Sequence, residues 1–354
     1  MAVLRRKRRR TTTAPLSEAK HNGRAGKIVV LDGATLDPGD NPWTDVAALG
    51  TLVVHERTSP EAVVERARGA AIILTNKTLI TADALNALPE LRMIAVLATG
   101  TNVVDLEAAA ARGIVVCNVP EYSTESVAQH VFALLLEVTN AVGAHAMAVA
   151  EGAWSRSADF SFWLRTTTEL AGKTFGIVGH GRIGCRVGEI ASAFGMRILA
   201  HSPSRSRPGS YRGFAWASVE QIFEQADIVS LHCPLTDDNE RFVDASLLRR
   251  MRSGSILINT ARGGLIDEAA LARALASGRP AAAALDVLSA EPPPSDHPLL
   301  SAPACWITPH MAWSTLAARQ RLMRETAQNV RAFLDGTPRN VVVGPARGND
   351  RRGS

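Results

Sequence analysis

A doubly wound α/β fold is predicted for this chain of 354 residues, long enough for two domains or for one large α/β unit. Three observations predict it. Strand-like apolar runs alternate with helical patterns from Lys27 onward, the mark of β-α-β units and parallel sheets. One long apolar helix after Ser123 interrupts the alternation, which restarts at Thr174. A glycine-rich turn, Gly179-His180-Gly181-Arg182-Ile183-Gly184, follows the first strand of the second run.

In order, residues 27–33 read as a buried strand ending in a turn, and 52–55 as a second strand. Ser59-Pro60-Glu61 reads as a helix start, with Ser as cap and Pro at the first helical position. Strands follow at 71–75, 93–97 and 114–117, with a capped helix at 81–88 and another at 106–112 closed by Gly113. Ser123 is expected to cap a helix running from Glu125 to about Asn140. Val127, Val131, Leu134, Leu135 and Val138 share one face, and most of the circumference is apolar. Such a helix is expected to be deeply buried or at a subunit interface. The irregular stretch around Trp154, Phe160, Phe162 and Trp163 is expected to pack on another subunit or domain. The second run places strands at 174–178, 197–200, 228–231, 255–259, 282–286 and 306–308. A last long helix covers 315–335, ended by Gly336 and Pro338.

Composition and charge narrow the function. The chain is 46% hydrophobic, which excludes wholesale disorder. Its apolar runs are short, so no transmembrane helix and no membrane partner are expected. The formal net charge of +5 is carried by Arg5, Arg6, Lys7, Arg8, Arg9 and Arg10; the rest of the chain is nearly neutral. An export reading of that run fails because residues 11–26 are polar. The expectation is a disordered tail without a role, and no nucleic-acid partner. Cys117, Cys185, Cys233 and Cys305 are scattered, with no Cys-x-x-Cys pair. Neither a metal site nor a disulfide framework is expected, and free thiols suit a reducing cytoplasm.

The glycine-rich turn has the context that a dinucleotide loop requires, with an apolar strand before it and a helix from Cys185 to Phe194 after it. The first glycine allows the tight turn, the second lets backbone approach a pyrophosphate, and the third lets helix and strand pack closely. The helix N-terminus then faces the phosphates. At the end of the next strand, an NAD site carries an acid for the adenine ribose. Here Ser202 stands in that place, followed by Arg205 and Arg207. Loss of the carboxylate and gain of guanidinium groups favours a 2′-phosphate, so an NAD(P) cofactor with NADP(H) preference is expected.

Ligands of doubly wound folds sit at the carboxyl ends of strands. Those ends carry His232-Cys233-Pro234, Thr260-Ala261-Arg262, Asp286 and Pro309-His310, with Glu291 in the last loop. Reduction of a 2-oxo acid needs a cation for the carboxylate and ketone, and an acid for the developing alkoxide. Residue type alone does not choose His310 over His232, or Glu291 over its neighbours. His130 and His145, on or beside a helix, read as structural.

With those motifs assembled, the chain resembles the D-isomer-specific 2-hydroxyacid dehydrogenase family from about Lys27 to Val343. The resemblance rests on 179–184, Leu231-His-Cys-Pro-Leu-Thr236, Asn259-Thr-Ala-Arg-Gly-Gly264, Leu285-Asp-Val287 leading to Glu291-Pro-Pro, and Thr308-Pro-His310. It implies Arg262, Glu291 and His310 as catalytic residues, with Arg262 on the substrate, His310 as proton donor and acceptor, and Glu291 as its partner. It implies cofactor contacts from Gly179, Gly181, Arg182, Ile183, Gly184, Ser202, Arg205, Cys233, Pro234, Thr260, Ala261 and Asp286, the last holding the nicotinamide carboxamide. Substrate contacts would come from Lys77, Ala98, Thr99, Gly100 and Arg262.

The resemblance further implies two Rossmann-like domains. The substrate domain is discontinuous, over 27–120 and 311–343, and the cofactor domain covers 121–310. Disordered tails are expected at 1–26 and 344–354, and a homodimer is expected. Asn76-Lys77-Thr78, residues 97–102 and His310-Met-Ala-Trp313 resemble the glycerate dehydrogenase and hydroxypyruvate reductase branch, which points to hydroxypyruvate or glyoxylate. A rival reading is a dinucleotide-sensing protein without turnover, in the manner of corepressors that share the fold.

Overall fold

The computed structural model describes residues 25–344 except Arg212; the Arg5–Arg10 run and the chain beyond 344 lie outside the described residues. Among the described residues there are thirteen strands: β1 Ala25–Val30, β2 Gly50–Val54, β3 Ala70–Thr75, β4 Met93–Val96, β5 Val115–Cys117, β6 Thr174–Val178, β7 Arg197–His201, β8 Phe214–Trp216, β9 Ile228–Leu231, β10 Ile256–Asn259, β11 Ala282–Leu285, β12 Cys305–Ile307 and β13 Val341–Val343. The α-helices are α1 Thr44–Ala47, α2 Val63–Arg66, α3 Ala82–Asn86, α4 Leu106–Ala111, α5 Thr124–Asn140, α6 Val142–Ala150, α7 Arg182–Ala193, α8 Val219–Gln225, α9 Ala245–Arg250, α10 Glu268–Ala276 and α11 Leu316–Leu334.

The described residues divide into two compact units, one running up to Pro120 and resuming at Leu322, the other covering Glu121–Arg321. The second crossing falls inside α11, later than the boundary at 310 read from the sequence. The physical reason lies just after His310. The backbone N–H groups of Met311 and Ala312 donate to the buried Asp286 carboxylate, and Ser126 donates to the Ala312 carbonyl. Those bonds keep the residues after His310 in the second unit. Likewise β1 begins at Ala25, inside the tail expected to be disordered.

The first unit has a six-stranded sheet of order β13-β5-β4-β3-β1-β2. All its pairs are parallel except β13 with β5. Its central strands are buried on both faces, which is why they read as continuous apolar runs. The side chain of Asp32, just past β1, accepts the backbone N–H groups of Asn76, Lys77 and Thr78 and so fixes the loop after β3.

The second unit has a seven-stranded parallel sheet of order β12-β11-β10-β9-β6-β7-β8. Its order reverses at β6, whose neighbours β7 and β9 come later in sequence. The crevice for a ligand lies at the carboxyl ends flanking such a switch point. Short strands β8 and β13, absent from the sequence reading, extend the two sheets.

Helix α5 packs its apolar face, including Val131, Leu134 and Leu135, into the core of the second unit. Ser123 occupies the cap position of α5 without a side-chain cap bond, and the same holds for Ser59 before its short 3₁₀ turn. Ala141, left-handed at φ 52, ends α5 and turns the chain through 57° into α6. No single described helix is long and apolar enough to cross a membrane.

Candidate active site

The glycine-rich turn joins β6 to α7 with the geometry of a phosphate cradle. Gly179 has φ +103, and a Cβ there would fall 2.4 Å from the backbone nitrogen of Cys233, so only glycine permits this close passage. A Cβ on Gly184 would meet the Gly179 carbonyl oxygen at 2.3 Å, whereas the space beside Gly181 is open. The first bond inside α7 runs from Cys185 N–H to the Gly181 carbonyl. The N–H groups before it point out of the helix end with its positive dipole.

The residues present fit a dinucleotide. Besides the cradle, the buried Thr260 hydroxyl at the end of β10 has no hydrogen-bond partner among the described residues, an orphan that a ligand would satisfy. Arg182, expected as a contact, turns its side chain to an ion pair with Glu121. Ile183 lies in the first turn of α7. Ser202 is half-buried beside the cradle, since Gly179 and His180 both donate to the His201 carbonyl. Arg205 is exposed, with φ 46.

The structure separates the two strand-end histidines. His232 follows β9 against Ser230 and is held neutral: burial, with His180 nearby, pushes its pKa down to about 3. Such a ring lacks the acidic second proton of an imidazolium near neutral pH. Its neighbour Cys233 is likewise held as a thiol, pushed up to about 11 by burial. His310 is different. Its Nδ1 lies 2.6 Å from Glu291 Oε2, both side chains remaining partly exposed. The Leu288 N–H bonds the other Glu291 oxygen at 3.0 Å and aims the carboxylate.

The neutral state of His232 makes a stability prediction. The unfolded ring titrates near its ordinary value of 6.5, while the folded ring resists protonation down to about 3. The unfolded state therefore gains protons first as pH falls, and stability drops by about 1.4 kcal/mol for each pH unit below 6.5. Denaturant midpoints measured from pH 7 to pH 4.5 should fall in the native chain. They should fall less steeply in His232→Asn; an unchanged slope would show that this ring is not the source.

His310 itself sits at φ 50, a left-handed conformation that is costly for a side chain larger than glycine. Its N–H donates to the carbonyls of Asp286 and Thr308 at 2.8 and 2.9 Å. Asp286, fully buried at the end of β11, braces the same turn. One carboxylate oxygen accepts the Thr308 hydroxyl at 2.6 Å and the Met311 N–H at 2.9 Å, and the other accepts the Ala312 N–H at 2.8 Å. Burial alone would raise this carboxyl, but the bonds from His130, Thr308, Ala312 and Met311 outweigh it and hold it below its usual range.

His130 on α5 completes this network, with Nε2 3.0 Å from the Thr308 hydroxyl and 3.4 Å from Asp286. Because that hydroxyl donates to Asp286, the His130 ring donates to it in turn. Sequence reasoning assigned His130 no part here. The two residues are 178 apart in the chain, so no local signal joins them.

Arg262 is presented by a braced turn. Buried Asn259 accepts the Ala261 N–H at 3.0 Å and donates to the Arg262 carbonyl at 2.8 Å. Gly263 lies so close to the next loop that a Cβ would fall 1.9 Å from the Leu288 carbonyl carbon. The turns bearing Arg262 and Glu291 are thus in backbone contact. The guanidinium is exposed, and its Nη1 donates to the Ala261 carbonyl at 2.7 Å.

The family model described as D-isomer specific 2-hydroxyacid dehydrogenase, NAD binding domain, matches residues 132–312. The chain belongs to the D-isomer-specific 2-hydroxyacid dehydrogenases. It is 44% identical to a hydroxypyruvate reductase of Blautia hydrogenotrophica, over 89% of this chain and 99% of that one. It is 41% identical to a glycerate dehydrogenase of Methylorubrum extorquens, over 80% and 89% of the two chains. A solved acyclic imino acid reductase, in complex with NADPH and D-Arg, superposes with a TM-score of 0.78 at 29% identity, covering 90% of this chain and 100% of its own.

This dehydrogenase is therefore an NAD(P)-dependent oxidoreductase acting on the CH–OH group of 2-hydroxy acids. The rival of a dinucleotide sensor without turnover is not favoured, because these relatives are reductases and dehydrogenases.

In the first unit, Lys77 follows β3 and is exposed. The loop Ala98-Thr99-Gly100 follows β4, tied by the Thr99 hydroxyl to the Val119 carbonyl and by Asn118 to the Thr99 carbonyl.

Proposed function

We propose that this dehydrogenase reduces hydroxypyruvate or glyoxylate to D-glycerate or glycolate, with NADPH preferred over NADH. The observation that carries the chemistry is the His310–Glu291 pair at 2.6 Å. When bound, the reduced nicotinamide supplies the hydride. Glu291 holds the Nδ1–H of His310, which leaves Nε2 to hand a proton to the ketone oxygen as it becomes a hydroxyl. The ring passes from imidazolium to imidazole and regains its proton from water; oxidation runs the same path in reverse. Arg262 engages the carboxylate and ketone oxygens through its planar fork.

The second unit serves as the cofactor domain and the first as the substrate domain. Lys77 and the backbone of Ala98, Thr99 and Gly100 supply substrate contacts, and Asp286 both braces the turn of His310 and accepts from the nicotinamide carboxamide. Residues 97–102 carry no cation, which speaks for an unphosphorylated acid. The names of the relatives support the substrates, and Ser202 with Arg205 supports NADPH. Four free thiols suit the cytoplasm.

The test is loss of NADPH or NADH absorbance with hydroxypyruvate, glyoxylate and pyruvate. Turnover is expected to be fastest with NADPH and one of the first two. Turnover only with pyruvate or with a phosphorylated acid would overturn the substrate reading, and a preference for NADH would overturn the cofactor reading.

The enzyme is also proposed to be a homodimer. Phe160 is 92% and Trp163 70% exposed in the single chain, and α6 adds Val142 and Met147. An apolar patch of this kind marks a protein interface. Sedimentation should give twice the mass of the chain; a monomer would remove the proposal.

A further inference from the structure

The loop between β7 and β8 carries Ser202, Arg205 and Arg207, with Pro203, Pro208 and Gly209 among them. Arg205 and Arg207 are exposed, and neither makes an ion pair among the described residues. So polar a segment has little core of its own to hold it in one shape. It is held from the glycine-rich turn instead.

The side chain of His180, between the first two glycines, is buried at 2% exposure. Its Nδ1 lies 2.8 Å from the carbonyl of Arg207 and its Nε2 2.6 Å from the hydroxyl of Tyr211. A carbonyl only accepts, so Nδ1 carries the hydrogen and Nε2 accepts from the Tyr211 O–H. One tautomer satisfies both partners. Burial lowers the pKa of the imidazole against the raising effect of the Arg207 carbonyl, and burial also raises that of the Tyr211 phenol, so both stay neutral.

The rings of Phe214 and Trp216 stand 5.2 and 5.5 Å from the imidazole. Room for Tyr211 exists because α7 has glycine at 188, where a Cβ would fall 2.1 Å from the phenol oxygen. The Arg207 charge reaches the first turn of α7, where it opposes the burial that raises the pKa of the Cys185 thiol.

We infer that His180 and Tyr211 are positioning residues for cofactor selectivity, a latch that holds the Arg205–Arg207 segment ready for the 2′-phosphate of NADPH. The inference rests on the proposed NADPH preference and deepens it. Two arginines on a loose loop would lose conformational entropy when they grip a phosphate, and a loop already tied to the pyrophosphate turn loses less. The hydrogen bonds of the latch run to Arg207 and Tyr211 and to none of Arg262, Glu291 and His310, so its loss should act at the adenosine end rather than on the hydride transfer.

The test compares the native enzyme with Tyr211→Phe, which removes the hydroxyl and keeps the ring in its aromatic cluster. Arg207→Gln serves as the direct control. KM for NADPH should rise about tenfold in Tyr211→Phe, with kcat unchanged and KM for NADH within about twofold. Inhibition by adenosine 2′,5′-bisphosphate should weaken by a similar factor. A native preference for NADH would sink the cofactor reading, and the latch with it. A native preference for NADPH that survives Tyr211→Phe, or KM values that rise equally for both cofactors, would sink the latch alone.

Discussion

Replacing His310 with glutamine is expected to lower kcat by roughly 10²–10⁴-fold, the contribution of a well-placed general acid. That factor corresponds to about 3–5 kcal/mol of barrier. Glutamine keeps a polar side chain beside Glu291 but has no proton to exchange near neutral pH. The cradle at Gly179–Gly184 is built from backbone on β6 and α7 and does not involve this ring. Binding of NADPH, followed by its fluorescence, should therefore stay within about threefold of native. Turnover unchanged in His310→Gln would remove the ring from the mechanism. Lost turnover together with lost cofactor binding would mean that the 308–312 turn, with its left-handed His310, had been disrupted instead.

Arg262→Lys is expected to cost about 10–100-fold in kcat/KM, the value of charge-assisted hydrogen bonds that lysine does not reproduce. The Asn259 bonds and the Gly263 contact fix the backbone of this turn whatever the side chain is. The effect should then come from the lost planar fork, with KM for the acid raised, kcat lowered and cofactor affinity intact. Near-native kcat/KM in steady-state assays would show that the acid is held by other groups.

Much of this was legible along the chain, for reasons particular residues make plain. Strand β6 is buried at every position, so Thr174-Phe-Gly-Ile-Val178 reads as an apolar strand. The turn at 179–184 follows from the need for glycine where backbone meets backbone. Strands β8 and β13 were not legible, because three residues among turn formers carry no period. The boundary inside α11 was hidden too, since the bonds that hold Met311 and Ala312 come from Asp286, far back in the chain.

The same division holds at the candidate site. The sequence by itself determined that two β-α-β runs would form parallel sheets, that a dinucleotide turn would open α7, and that Arg262, Glu291 and His310 would lie near strand ends. These follow from periodicity and local backbone chemistry, which neighbouring residues control. Only the tertiary structure decided which of the two strand-end histidines has a carboxylate partner, which is held neutral by burial, and that His130 supports the turn of His310 through Thr308. It alone tied His180 to Tyr211. Burial and hydrogen-bond pairing depend on what surrounds a group in space, and those neighbours come from segments that chain order does not bring together.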